Sequence, residues 1–254
     1  MEAYNIIDVN AENVADAGMF CIKNKKAPGY AAKLDWFKQK CNDGLGIKLL
    51  ESEDGKPVGF VEFIPAEKAW RPIQADNYLF IHCIVVQSKS LRSQGLASTL
   101  INSCEEEARK LGKSGVCVMA SDGVWIADKR LFQRNGFEEI EKSGRFELMV
   151  KKINPNAEDP KLIDWESKAG DYKGWHILYA DQCPWHVKSV EDLLNAAMDM
   201  EIDLNVTHLT DPAQAQQMPC GYGTFALIHN GEVLADHYIS QTRFRNIVRK
   251  KFQD

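Results

Sequence analysis

Neither a C-x-x-C pair nor an H-E-x-x-H motif occurs in these 254 residues. Their absence removes the commonest sequence signs of structural zinc and of zinc-dependent hydrolysis, and no metal site is expected. The seven cysteines are odd in number and lack the spacing of a disulfide framework. They read as reduced thiols, which places the protein in the cytoplasm. No apolar run approaches the roughly 20 residues that cross a bilayer, and no basic-then-apolar leader opens the chain. A basic excess is missing as well, with 31 Lys and Arg against 36 Asp and Glu, a net charge of −5. Polyanion binding normally needs such an excess, so a nucleic-acid role is not expected. The one basic cluster, Arg243 and Arg245 followed by Arg249, Lys250 and Lys251, reads as the solvated face of a helix. There is no internal repeat and no low-complexity tract.

What is present suits two folded domains. A chain of this length exceeds the usual single-domain size, and 44% hydrophobic residues supply material for two cores. The stretch 154–160, NPNAEDP, forms neither helix nor strand well, and 170–174, GDYKG, is turn-rich. A linker is therefore expected over 154–173, between domains at 1–153 and 174–254. In the first, 11 onward and 30–39 read as helices, and 47–52 and 57–64 as strands joined at Asp54 and Gly55. Residues 78–86 form the next apolar strand. The helix 96–111 carries Leu96, Leu100, Ile101, Cys104, Ala108 and Leu111 on one face, with Glu105, Glu106 and Glu107 outward and Gly112 at its C-terminal cap. Then come a strand at 116–120, a helix at 126–134 and a strand pair at 137–141 and 146–152. The second domain reads as a strand at 175–179, a helix capped at Ser189, and a strand at 204–209. A hairpin turning at Asn230 and Gly231 and a helix at 240–250 complete it.

The segment RSQGLA at 92–97 is the most informative feature. It joins an apolar strand to an amphipathic helix. A helix start offers N–H groups without intrahelical partners and a partial positive charge. Gly95 permits close backbone approach and Arg92 adds a cation, so the loop suits a phosphate.

The pattern R-x-x-G-x-A in that position resembles the coenzyme A signature of the GNAT N-acetyltransferase superfamily. LFQRNGF at 131–137 resembles its helix-to-strand segment, and VGFVEFIP at 58–65 resembles its central hairpin. IPAEKAWRP at 64–72, FIHC at 80–83 and YGTFAL at 222–227 resemble GNAT proteins with a YoaP-like C-terminal domain. The implied architecture is a mixed α/β sheet flanked by helices, followed by a smaller thioredoxin-like α/β domain. The implied activity is direct acetyl transfer from acetyl-coenzyme A to a primary amine on a small molecule or peptide. The resemblance further implies that strand 82–86 splays, so that backbone at Ile84, Val85 and Val86 meets pantetheine and the thioester. Amides of Arg92, Ser93, Gln94, Gly95, Leu96 and Ala97 would hold the pyrophosphate.

Amine attack on a thioester needs a neutral amine, donors for the oxyanion and a stabilised thiolate. Glu62 and His82 are the candidate bases, with Glu67 a weaker one; each also fits an ordinary strand or loop position. The family usually has Tyr where Phe132 stands, and phenylalanine has no proton to give. Cys83 reads as a structural thiol. Trp70 and Arg71 are expected to open a loop beside the acceptor cleft, and Trp125 stands near the coenzyme where Asn is common. In the second domain CPWH at 183–186 resembles a thioredoxin redox loop with His in place of the second Cys. Cys183 with His186 is the candidate thiol site, either as a reactive monothiol or as part of a redox-dead module. Gly223 stands where thioredoxins carry a cis-proline. Two other functions stay open: a thiol-based redox or metal-handling protein, and a non-catalytic acyl-coenzyme A-binding adaptor.

Overall fold

The computed structural model describes residues 4–19, 21–87 and 94–252. The chain folds into two compact units that no single cut separates. The first comprises 1–23, 37–69 and 73–162, the second 24–36, 70–72 and 163–254. The stretch expected as linker, 154–173, carries a short strand at Lys161–Leu162 and a 3-10 turn at Glu166–Asp171.

The first unit contains β1 (Tyr4–Val9), α1 (Val14–Ala17), the end of α2 (Pro28–Lys40), β2 (Gly46–Ser52) and β3 (Pro57–Pro65). These are followed by β4 (Ile73–Gln74), β5 (Tyr78–Val86), α3 (Leu96–Lys110) and β6 (Gly115–Ser121). It closes with α4 (Lys129–Gln133), β7 (Glu138–Ser143), β8 (Phe146–Lys152) and β9 (Lys161–Leu162). Seven strands form one sheet in the order β1-β2-β3-β5-β6-β8-β7. Every neighbour pair is antiparallel except β5 with β6, which α3 connects. A parallel pair needs such a crossover, and the crossover covers one sheet face.

That face is the main core. Leu96, Leu100, Ile101, Cys104 and Ala108 of α3 lie on Val61 and Phe63 of β3, Leu79 and Ile81 of β5, and Val116, Val118 and Ala120 of β6. The spacing along α3 matches the expected stripe, with two departures. Leu111 falls beyond the helix and is exposed. Glu105, expected outward, is buried and accepts from Lys151 Nζ at 2.5 Å. Gly112 takes φ +64°, and Lys113 N–H donates to Ala108 O at 2.8 Å, closing the helix at the expected residue.

The second unit contains β10 (Trp175–Ala180), α5 (Trp185–Asp199), β11 (Leu204–Leu209), α6 (Pro212–Gln216), β12 (Phe225–His229), β13 (Glu232–Ala235) and α7 (Gln241–Lys251). Its sheet order is β11-β10-β12-β13, with β10 and β11 parallel and the other pairs antiparallel. Helix α5 begins at Trp185 behind Pro184, four residues ahead of the expected start at Ser189. Ser189 is buried inside the helix, donating to Ile239 O at 2.8 Å and accepting from Ile239 N–H at 3.2 Å. Its polarity serves a tertiary bond, and that is what made it look like a cap. Helix α6 was not read from the sequence, although Asp211, Pro212 and Gln214 spell a capping box with proline at its start.

Candidate acyl-coenzyme A site

Strand β5 pairs with β6 only from Tyr78 to Ile81, opposite Gly115 to Val118. Beyond that point β5 continues to Val86 on β3, while β6 continues to Ser121 on β8. The two strands therefore part at residue 82. The register supplies the cause. Ile81 faces Phe63 and Cys83 faces Glu62, so His82 and Cys83 together oppose Glu62 in a β-bulge. A bulge bends its strand and sharpens the local twist, which draws β5 away from β6. It also inverts the alternation. Ile84 and Val86 turn onto the α3 core and Val85 outward, where Leu79 and Ile81 had faced that core.

On the opposite face the bulge brings Glu62 and His82 together. His82 Nδ1 lies 3.4 Å from Glu62 Oε1, with side-chain exposures of 0% and 2%. The Phe80 ring meets the imidazole edge-on at 5.5 Å. Both expected bases are thus at one place, and their pairing is invisible in the sequence because register is a tertiary property. Glu67 is used structurally: its Oε1 accepts from Asn77 N–H at 2.7 Å and pairs with Lys113.

Of the expected pyrophosphate loop, Arg92 and Ser93 lie outside the described residues. Gln94 and Gly95 are exposed, Ala97 is half-buried, and Leu96 anchors the helix in the core. Gly95 is the N-cap of α3 with φ +79° and ψ 1°, a left-handed conformation that favours glycine. A Cβ there would meet nothing within 4 Å among the described residues. Among the described residues no side chain caps this helix, and no acid occupies its first turn. The amides at its start keep their positive potential for an anion.

The loop after β6 is held by Arg145, which donates to Ser121 Oγ at 2.8 Å and packs against Gly123. It presents Trp125, 61% exposed and at φ +66°. Phe132 is fully buried with its ring edge-on to Phe137 at 5.5 Å, so this position packs the core. Trp70 and Arg71 do not open a loose loop. They are buried within the second unit, where Arg71 donates to Trp70 O at 2.8 Å and stacks over Tyr222 at 5.0 Å.

Residues 16–137 match the model of the acetyltransferase (GNAT) family, and residues 203–246 match the YoaP-like family. The first match marks the stretch in which this chain is similar to the GNAT acetyltransferases. An uncharacterized N-acetyltransferase, YoaP, of Bacillus subtilis (strain 168) is 26% identical over 95% of this chain and 97% of its own. Among solved structures, yncA of Salmonella typhimurium with acetyl-CoA is 19% identical, with TM-score 0.44 over 62% of this chain and 98% of that one. A GNAT-family acetyltransferase of Staphylococcus aureus Mu50 is 16% identical, with TM-score 0.43 over 59% of this chain and 99% of that one.

The second candidate site needs correction. Cys183 lies directly before Pro184, the N-cap of α5, and not several residues ahead of the helix. His186 cannot support it as an imidazolium. The ring is fully buried among Tyr222, Phe225 and Tyr238, and its Nδ1–H donates to Ala180 O at 2.8 Å. Burial, with the nearby charges of Arg71 and Lys33, pulls its pKa down to about 3. The imidazole is neutral near pH 7. Cys220 of the same unit is buried with its pKa pushed up to about 12, and its Sγ donates to Phe225 O at 3.3 Å. Among the described residues no group of three His, Cys, Asp or Glu gathers as a metal site, and no helix is long and apolar enough to cross a membrane.

Proposed function

We propose that the protein moves an acetyl group from acetyl-coenzyme A to a primary amine on a small molecule or peptide, by direct attack, in the cytoplasm. The observation that carries this reading is the parting of β5 from β6 ahead of an uncapped, acid-free helix N-terminus. In open α/β sheets ligands bind in the crevice beyond the carboxyl ends of the strands. A pyrophosphate on the amides at 94–97 would let the pantetheine arm run back along Ile84, Val85 and Val86. Its thioester would then end near residue 82. The neutral amine attacks the carbonyl carbon, the oxyanion forms, and the C–S bond breaks to release the coenzyme A thiolate. Phe132 offers no proton, so the thiolate leaves unassisted from that side.

The test uses the full chain, because a cut near 153 would leave 24–36 and 70–72 without the rest of their unit. Thiol release should accompany amine acetylation on an amine panel. Gly95→Glu sets bulk and negative charge against the pyrophosphate, and acetyl-coenzyme A affinity should fall at least tenfold, about 1.4 kcal/mol. Gly95→Asn, which tolerates the left-handed backbone without charge, should bind much better than Gly95→Glu. Equal calorimetric affinity for Gly95→Glu and the parent, both folded, removes the phosphate assignment.

The second unit fits a thioredoxin-like module without dithiol cycling. What supports this is the β10-α5-β11 crossover, the order β11-β10-β12-β13 and a cysteine just before α5. With His186 neutral, the start of α5 is what would stabilise a Cys183 thiolate. Cys183 should alkylate with iodoacetamide at pH 7 faster than buried Cys104, Cys117 and Cys220, whose thiols burial pushes up. His186→Gln should leave that rate unchanged, and Cys183→Ser should keep acetyl transfer. A clear slowing in folded His186→Gln would restore the imidazole to the site.

A further inference from the structure

We propose that the outer edge of β11 is a docking strand for an extended, basic peptide segment of a protein partner, which adds a fifth strand to the second unit's sheet. Among the described residues β11 pairs with β10 alone. Asn205, Val206, Thr207 and His208 are all exposed, so neither face of the strand is covered there. An outer strand presents a row of N–H and C=O groups ready to pair, and proteins usually guard that row with charge, proline or a bulge. The other outer strands of the two larger sheets have such guards. β1 carries Asp8, and β7 carries Glu138, Glu139, Glu141 and Lys142 with a register shift beside Glu139. β13 carries Glu232 and meets β12 across a register shift at Leu227. β11, with the sequence LNVTHL, has no Lys, Arg, Asp, Glu or Pro, and its register with β10 is unbroken.

The charge around this edge names the partner. From Ser189 to Thr242 the chain has eight Asp and Glu and no Lys or Arg. Asp192, Asp199 and Glu232 are matched by Lys188, Arg245 and Lys251. The acids that flank β11, Glu201, Asp203 and Asp211, are exposed and form no ion pair among the described residues. Asp203 directly precedes the strand and Asp211 follows its end by two residues, so both ends of the edge are negative. Six residues of strand span about 20 Å. The segment that fits is therefore extended over that length, uncharged at its centre and basic at its ends. Main-chain bonds to the edge supply affinity, and the flanking acids select the charge. The same acids disfavour a second copy of this chain. Antiparallel self-pairing would turn Glu201 and Asp203 of one copy toward Asp211 of the other, which is repulsive. The edge is also held rigid, so docking orders little that was loose. His208 stacks on Tyr179 at 4.7 Å, and its Nε2 lies 2.8 Å from Asp181 Oδ2. Asn205 Nδ2 donates back to Trp175 O at 3.4 Å, and the capping box at Asp211 fixes the exit from the strand.

The probe is a nine-residue peptide with blocked ends, two lysines at each end and alternating threonine and valine between them. It is titrated calorimetrically at low salt into the full-length protein. The parent should bind it, and a version with glutamate in place of lysine should not bind. A docked strand uses one of its two edges, so N-methylating one alternate set of backbone amides should abolish binding and methylating the other set should spare it. Thr207→Lys guards the edge and repels the peptide, and should weaken binding by about tenfold or more. Glu201→Gln combined with Asp203→Asn should weaken binding severalfold and flatten its dependence on salt. Both variants change exposed positions and should keep the parent's circular dichroism. No binding by the parent overturns the proposal, as does equal affinity for the glutamate peptide. So does undiminished binding in folded Thr207→Lys, or equal affinity for the two methylated peptides. If Thr207→Lys does not fold, the two methylated peptides decide alone. A parent dimer in sedimentation that Thr207→Lys disperses would show that a second copy holds this edge, and it too overturns the proposal.

Discussion

Gly29→Ala is expected to destabilise the second unit by about 3 kcal/mol, at the upper end for overpacking. Gly29 is the second residue of α2, and it belongs with residues 163–254. A Cβ there would lie 1.7 Å from Pro184 O and 2.7 Å from Pro184 C. Those are backbone atoms, so no side-chain rotation relieves the clash. Alanine is the better helix former by about 1 kcal/mol, and on propensity alone the substitution would stabilise. The sign therefore tests the contact. With the clash, either α2 or the loop before α5 must move by more than an ångström. Chemical denaturation should show a lowered midpoint for the transition reported by the second unit's tryptophans. A midpoint equal to or above the parent's would mean that Gly29 does not touch Pro184.

This contact also marks where the sequence stopped being legible. Periodicity placed the β2–β3 hairpin, β5, α3 and β8 within a residue or two, because each carries its own burial pattern and its own turn residues. Gly55 and Gly231 take the positive φ that their hairpins need. The GNAT motif placed the helix start at Gly95 for a physical reason, since an exposed left-handed residue before an uncapped helix favours glycine. What failed was everything set by contacts between distant segments. β1 is amphipathic but borders polar turn residues, and only its pairing with β2 fixes it as a strand. Trp70 and Arg71 read as a surface loop, yet they are buried beside Tyr222 and Thr224. Gly223, at φ +74°, is where that segment presses closest: a Cβ would meet Trp70 O at 2.7 Å. The pairing of Glu62 with His82 needed the bulge, and no residue in FIHCIV announces one.

Acidification should unfold the second unit through His186, before most carboxylates titrate. Burial holds its folded pKa down at about 3, against an ordinary value of 6.5. The unfolded chain therefore binds one more proton than the folded chain between those values, and stability falls as pH drops through that window. The contribution is complete above about pH 6.5 and is lost progressively toward pH 3. At pH 4 the loss is about 3 kcal/mol, a large share of a typical domain's stability. Protonation would place a third positive charge near Arg71 and Lys33, both buried, and leave it among aromatic rings. Asp54 and Asp128, held down to about 2 by Lys56 and Arg130, add their losses only at lower pH. His186→Phe keeps a ring in the aromatic nest while removing the titration, at the cost of the bond to Ala180 O. Its stability at pH 7 should be lower than the parent's, and its loss between pH 6.5 and pH 4 should be smaller by about 3 kcal/mol. Parallel stability curves for the two proteins over that range would show that His186 reaches solvent and titrates normally in the folded state.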